Sequence, residues 1–540
     1  QTISEIYMKR FISHLLALTL SVSVPAGVCA QTSKTIDILP GETWWGAATD
    51  LGTRSPLNLH RVAADLRTQN FNNQAAPLLV SNKGRGVWAD GPFSLKAEKN
   101  RLTVKVHRGS FSLTGKGKNL RDAYLAEMQK HFPATGKCPP ALFFDKPVYN
   151  SWIELTYDQN QNDILRYAHA IIDNGFPAGV LMIDDNWQKD YGDWEFRPDR
   201  FPDPKAMVDT LHAMGFKVML WVCPFVSPDS KLGRDLEKEG YFVKAKDSED
   251  AAVVRWWNGH SFAYDLSNPK AFAYLKRTFK NLQAKYAIDG FKFDAGDPER
   301  YLKEDVDIYD GKSYDVEQTK LWATMALDFP YNEMRACWEL GNQPLIQRLG
   351  DKKYSWEGVS QLVPDMIAAG LLGYAYTCPD MIGGGEYGSF YGVDPGKFNQ
   401  ALMIRSCQIH SMMPVMQFSV APWRMLSKEN LAICRRFAKW HEELGGYIRQ
   451  QAELSARTGE PIVRHMDYSY PDEGFENVND QYMLGDRYLV APASSASTQR
   501  TVKLPQGKWR DDQGKLYKGG RSYQINVPLE RLPWFEPVSK

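Results

Sequence analysis

From Val148 to about Phe418, strand-like runs alternate with amphipathic helical patterns, and this alternation constrains the fold more than any other feature. Val148–Glu154 precedes a helical pattern over Gln159–Asn174, and Gly179–Ile183 precedes one over Pro204–Met214. Lys217–Val222 leads into a long excursion and a helix over Pro269–Tyr286, after which comes Gly290–Phe293. Glu333–Trp338, Gly373–Thr377 and a run near Met412–Phe418 complete the series. Strand, helix, strand repeated in this way predicts a parallel barrel rather than an open sheet. No Gly-x-Gly-x-x-Gly follows the first strand, which weakens a dinucleotide-binding reading. Gly383–Gly385 is a glycine loop without the Lys-Ser/Thr of a phosphate cradle.

The flanks have a different texture. Residues 35 to about 140 hold short alternating segments, such as Leu102–His107 and Phe111–Thr114, separated by Gly, Asn and Lys clusters. That pattern predicts an antiparallel β-sandwich, followed by a helix over Leu120–His131 and a linker over Pro133–Pro140. From about Leu454 the β pattern returns, in Tyr488–Pro492, Arg500–Leu504 and Tyr523–Val527. The expected fold is α/β: a (β/α)8 barrel over 146–453, an N-terminal β-sandwich over 31–145 and a C-terminal β-sandwich over 454–540. The 540 residues suit about three domains.

Residues 1–30 read as a secretory signal peptide. Met8-Lys9-Arg10 supplies the positive start, Phe11 to about Val24 the apolar run, and Val28-Cys29-Ala30 the cleavage site. Val28 directly before Cys29 fits a lipid-attachment box poorly, so periplasmic or secreted export is expected over a surface lipoprotein. The six later cysteines, Cys138, Cys223, Cys337, Cys378, Cys407 and Cys434, are scattered and form neither a zinc spacing nor an obvious disulfide framework. A net charge of +1 gives no field that favours nucleic acid or an anionic membrane. No cofactor or metal is expected.

In such a barrel the C-terminal ends of the strands form the active-site face. Polar residues just beyond the strands are therefore the test. Asp184-Asp185-Asn186-Trp187 follows the second strand, and Asp294 ends the fourth. Arg335 and Trp338 lie on the fifth, Asp351 follows Arg348-Leu349-Gly350, and Asp380 follows Cys378-Pro379. One carboxylate at a strand end reads as a helix cap. Several at one rim, with Arg and Trp, suit a sugar. Retaining glycoside hydrolysis needs two carboxyl groups roughly 5–5.5 Å apart, one ionised to attack and one protonated to assist departure. Sequence alone leaves the two roles unassigned.

The chain resembles glycoside hydrolase family 31 over nearly all of its length after the leader. Phe291-Lys292-Phe293-Asp294-Ala295-Gly296-Asp297 resembles the nucleophile motif, with Asp297 where many members have Glu. Gly350-Asp351 followed by Ser355-Trp356-Glu357 resembles the acid/base motif, and Arg335 falls at the substrate-binding Arg sixteen positions earlier. Asp380-Met381-Ile382-Gly383-Gly384, Thr458–Arg464 and Asp480–Pro492 continue the match in order. The resemblance implies a retaining exo-α-glycosidase acting by double displacement, with Asp294 as nucleophile and Asp351 as acid/base. Asp184, Asp185, Trp187, Lys292, Arg335, Trp338 and Asp380 would bind the sugar. Lys292, two positions before Asp294 on the same strand face, is also expected to help keep it ionised. The family's His after strand eight has no counterpart in Pro414–Ser419, and His410 is expected to face the core.

Asp184-Asp185-Asn-Trp187 resembles the acidic pair that α-galactosidases of other barrel families use for the axial 4-hydroxyl and the 6-hydroxyl. The expected substrate is therefore a terminal α-galactoside. α-Glucosidase and α-xylosidase remain the alternatives, beside a carbohydrate-binding protein without catalysis. A metal hydrolase built on Asp184-Asp185 lacks neighbouring His ligands.

Overall fold

A computed structural model describes residues 32–67 and 74–538; the leader read at 1–30 lies outside these residues. The barrel strands are β1 (Val148–Asn150), β2 (Val180–Ile183), β3 (Lys217–Val222), β4 (Gly290–Phe293), β5 (Tyr331–Met334), β6 (Gln347–Arg348), β7 (Thr377–Cys378) and β8 (Gln417–Phe418). They run in the order β7-β6-β5-β4-β3-β2-β1-β8. Each neighbouring pair is parallel. Between β7 and β8 the Ile382 amide donates to the Gln417 carbonyl at 2.8 Å, so the ring is nearly closed.

Local chemistry sets the helix starts. Asp203 and Asn268 each cap a helix with Pro at its first position, over Pro204–Ala213 and Pro269–Tyr286. A side-chain oxygen there satisfies an otherwise unpaired amide, and Pro gives up no bond that the helix would use. In β4 a glycine is required at position 290. A Cβ there would meet the Tyr331 carbonyl oxygen of β5 at 1.7 Å.

The fifth strand is shorter than Glu333–Trp338. β5 stops at Met334, the Arg335 amide still reaches the Phe293 carbonyl at 3.3 Å, and the chain then turns outward. Cys337–Trp338 leaves the barrel and pairs in parallel with Gln74–Ala75 of the N-terminal domain. That domain has one sheet of Thr32–Asp37, Arg101–Val106, Phe93–Glu98 and Ala63–Asp65. The other is built from Trp44–Ala48, Gln74–Ser81, Arg85–Ala89 and Phe111–Gly115. Their apolar faces share one core, which takes in Trp338.

The barrel hands over to the C-terminal domain through a single helix, Lys428–Thr458, ended by Gly459 at φ 77°. A boundary at 453–454 falls inside that helix, because its apolar stripe runs unbroken past Leu454. Beyond it lie a six-stranded and a two-stranded antiparallel sheet around Met483, Leu489, Trp509 and Phe535. No helix among the described residues is long and apolar enough to cross a membrane.

Candidate active site

The strand ends open into a cavity of about 630 Å³, within the range of small-molecule sites. Asp184, Asp185, Lys292, Asp294, Arg335 and Asp351 all line it.

Asp294 stands at the end of β4. Its Oδ1 accepts from Arg335 Nε at 2.6 Å and from the Ala295 amide at 2.9 Å, and its Oδ2 accepts from Trp221 Nε1 at 2.7 Å. The Trp322 indole N–H donates to its backbone carbonyl at 3.1 Å, which fixes the main chain as well. Burial pushes its pKa up, but Arg335, Lys292 and Arg348, with the Trp221 hydrogen bond, outweigh that. The carboxyl is held well below the usual carboxylate range and is ionised at neutral pH. The following residue, Ala295, sits at φ 55°, a left-handed conformation costly for a residue with a Cβ. It turns the chain away and leaves Asp294 in the cavity wall.

Arg335 also spans to the buried Asp297, with Nη2 at 2.8 and 2.7 Å from the two carboxylate oxygens. Asp297, where many family members have Glu, anchors the arginine that holds Asp294. Lys292 is buried and directs its ammonium to Asp184 Oδ2 at 2.7 Å, with Asp294 Oδ2 at 3.9 Å. Its first partner is thus Asp184, and it supplies positive charge to Asp294 from one step further. This ammonium also neutralises the carboxylate that a metal site on Asp184-Asp185 would need.

Asp351 follows β6. Its Oδ1 accepts from Arg348 Nη1 at 2.6 Å, and its side chain is 40% exposed where that of Asp294 is 10% exposed. That exposure leaves it open to the cavity and to water. Gly385 passes so close that a Cβ would meet Asp351 Oδ1 at 2.6 Å.

Three expected sugar contacts are corrected. Trp187 has no exposed surface; its Nε1 donates to the Trp221 carbonyl at 2.8 Å, and its ring packs on Phe196 at 4.7 Å. Asn186 at φ 76° turns the chain inward just before it, so the ring enters the layer behind the rim. Trp338 is in the N-terminal core because its strand joins that sheet. Asp380 is fully buried and staples two loops, its oxygens accepting from the Lys352 amide at 2.7 Å, Met381 at 2.6 Å and Gly385 at 3.2 Å. Burial, opposed by Lys352, pushes its pKa up to about 7.

Asp185 lines the cavity, yet both its oxygens are engaged. Oδ1 accepts from the Asn186 amide at 2.7 Å and Gln188 Nε2 at 2.9 Å; Oδ2 accepts from Tyr191 OH at 3.0 Å and Asn258 Nδ2 at 2.7 Å. Burial, helped by Asp184, pushes its pKa up to about 7, against the Gln188, Tyr191 and Asn186 donors that favour the ionised form. His410 is buried away from the cavity, on the helix Gln400–Ser411.

Several wall residues were missed from sequence: Trp152, Tyr157, Trp221, Trp257, Arg348 and Tyr387. Trp221 was the most accessible of these. It lies in the apolar run of β3 opposite Lys292 of β4, two residues before Asp294, so strand pairing places it near that carboxylate.

An ionised carboxylate held by cations thus shares a strand-end cavity with a half-exposed second one, the kind of residue pair that glycoside hydrolysis by two carboxyl groups employs. The chain belongs to glycoside hydrolase family 31: the family's TIM-barrel domain model matches residues 148–450 and its C-terminal domain model residues 459–536. It is 32% identical over 412 residues to the myogenesis-regulating glycosidase of Mus musculus, covering 74% of this chain and 57% of that protein. It is 26% identical to an α-xylosidase of Emericella nidulans, over 85% of this chain and 60% of that one. The chain thus spans less than two thirds of either relative. A family 31 α-xylosidase from a soil metagenome, solved with xylose, shares the fold at a TM-score of 0.82 and 22% identity, covering 94% of this chain and 80% of that one.

Proposed function

We propose that the chain is a retaining, exo-acting α-glycoside hydrolase with a terminal α-galactoside as its first substrate. One observation carries the mechanism: Asp294 is held ionised by Arg335 and Trp221 in the cavity that Asp351 shares. Asp294 attacks the anomeric carbon while Asp351 gives its proton to the departing glycosidic oxygen. The glycosyl ester on Asp294 is then hydrolysed by a water that Asp351, now a base, deprotonates. Asp184, held by Lys292, retains acceptor capacity for sugar hydroxyls.

The galactoside preference is supported by the Asp184-Asp185 pair in the cavity wall. An α-xyloside is the second reading, favoured by the four donors already spent on Asp185 and by the α-xylosidase among the relatives. A xyloside has no 6-hydroxyl to satisfy. A panel of nitrophenyl α-galactoside, α-glucoside and α-xyloside decides between them by kcat/KM. Highest kcat/KM on the galactoside upholds the first reading, and preference for another sugar removes it while sparing the mechanism. Sugar binding without turnover of any α-glycoside removes the mechanism.

A further inference from the structure

Glu333 is buried in β5, paired in register with Lys292 of β4. Strand alternation puts Asp294 and Arg335 on the same two faces one layer nearer the cavity. A carboxylate taken out of water needs partners, and the cations that act on Glu333 are Arg348 and Lys292. Lys292 already gives its ammonium to Asp184 at 2.7 Å. Arg348 is therefore the guanidinium left to it, with Nε 3.6 Å from Glu333 Oε1. Burial pushes the Glu333 pKa up, and Arg348, Lys292 and a hydrogen bond from Gln417 oppose this.

The contact is one link in a chain across the barrel. Asn150 Nδ2 of β1 donates to Gln417 Oε1 of β8 at 3.3 Å, and Gln417 Nε2 donates to Glu333 Oε2 at 2.6 Å. Glu333 then faces Arg348 of β6, whose Nη1 donates to Asp351 Oδ1 at 2.6 Å and to the Leu349 carbonyl at 3.0 Å. Neither Glu333 Oε1 nor Arg348 Nε has a hydrogen-bond partner among the described residues, so charge joins the two atoms. Arg348 Nη1 also has Asp380 Oδ1 at 3.5 Å, a second carboxylate competing for the same nitrogen. A guanidinium is a rigid planar fork. Fixing its Nε end therefore sets which carboxylate its Nη1 end meets.

We propose that Glu333 is a positioning residue for Asp351, acting through Arg348. This rests on the reading of Asp351 as the acid/base. Glu333 is not among the residues that line the cavity, so its effect on turnover passes through the arginine. It holds the guanidinium toward Asp351 and away from Asp380, and so keeps the proton donor facing the departing oxygen.

The test compares kcat/KM on phenyl and dinitrophenyl glycosides of the sugar that the wild type prefers. Phenol needs a proton to leave, and dinitrophenol does not. Glu333→Gln keeps the shape and removes the charge. It should lower kcat/KM about tenfold or more on the phenyl glycoside and less than about threefold on the dinitrophenyl glycoside. Glu333→Asp, which keeps the charge, should recover part of the loss. Arg348→Gln should lose at least as much on the phenyl glycoside, and the Glu333→Gln/Arg348→Gln double variant should be no worse than Arg348→Gln alone. Each variant is checked for its thermal transition. If Glu333→Gln does not fold, Gln417→Met, which removes the other hold on the carboxylate, should give a smaller loss with the same dependence on the leaving group. Equal losses on the two glycosides, or no loss, overturn the proposal, because a merely structural defect does not sense the leaving group. Multiplied losses in the double variant overturn the route through Arg348. A wild type that hydrolyses no α-glycoside ends the hydrolase reading and this proposal together, whereas an active wild type matched by Glu333→Gln ends this proposal alone.

Discussion

Asp294 is bound to a guanidinium and an indole N–H, with an ammonium nearby, and each of these contacts favours its charged form. Asp294→Asn should lower kcat by about 10⁴-fold or more with an unchanged circular dichroism spectrum. Asp351→Ala should cut turnover of poor leaving groups far more than of dinitrophenyl glycosides, and added azide should restore rate by attacking the glycosyl ester where the base is missing. The depressed pKa of Asp294 sets a pH signature. Turnover needs the ionised form, so the acid limb of kcat/KM from this group lies below the ordinary carboxylate value of about 3.9. Arg335→Met removes the strongest of the opposing charges and should move that limb upward by on the order of one pH unit or more. The linked stability has the same sense. The contribution of Asp294 is complete above the unfolded pKa and is lost as pH falls through the lower folded value. At this scale the sequence put Asp294, Asp351 and Arg335 at strand ends, where they line one cavity, because position at a strand end and charge are properties of the chain itself. It misplaced Trp187, because one left-handed residue, Asn186, decides which way the ring points.

The barrel strands and helices were legible where apolar runs and caps mark them: β3, β4 and the helix Pro269–Tyr286 fall where the pattern predicts. β5 was over-extended because Cys337–Trp338 has strand-like residues but a partner in another domain, and apolar pattern does not name the partner. The hairpin of Val253–Trp256 and Gly259–Ala263, which brings Trp257 to the cavity wall, lay inside a segment read only as an excursion. Two glycines test the spacing between elements. Gly290→Ala would force β4 away from β5 and should cost about 3 kcal/mol or more, read as a lower melting temperature. Gly385→Ala presses on Asp351 at the rim and on the buried Asp380, which the Gly385 amide itself helps to hold. It should lower the melting temperature through the Asp380 staple, and it should lower kcat by roughly 10²-fold through displacement of Asp351, the proposed acid/base.

At the scale of the molecule, the N-terminal domain takes part in holding the site. Gln74 is fully buried, and its Nε2 donates to the backbone carbonyls of Arg335 at 2.9 Å and Arg348 at 3.2 Å. These are the residues whose side chains hold Asp294 and Asp351. Gln74→Leu should lose about 1–3 kcal/mol in denaturant unfolding and reduce kcat/KM on the best glycoside. That link was invisible in the sequence, since 261 positions separate Gln74 from Arg335 and no local pattern reports such a contact. The strand Cys337–Trp338 strengthens the same seam by crossing from barrel to sandwich. For anyone exchanging parts among family relatives, sandwich and barrel are therefore one cassette: a graft cut at residue 146 would separate a glutamine from the arginines it braces and a strand from its sheet, and the cut would reach the chemistry before it reached the substrate.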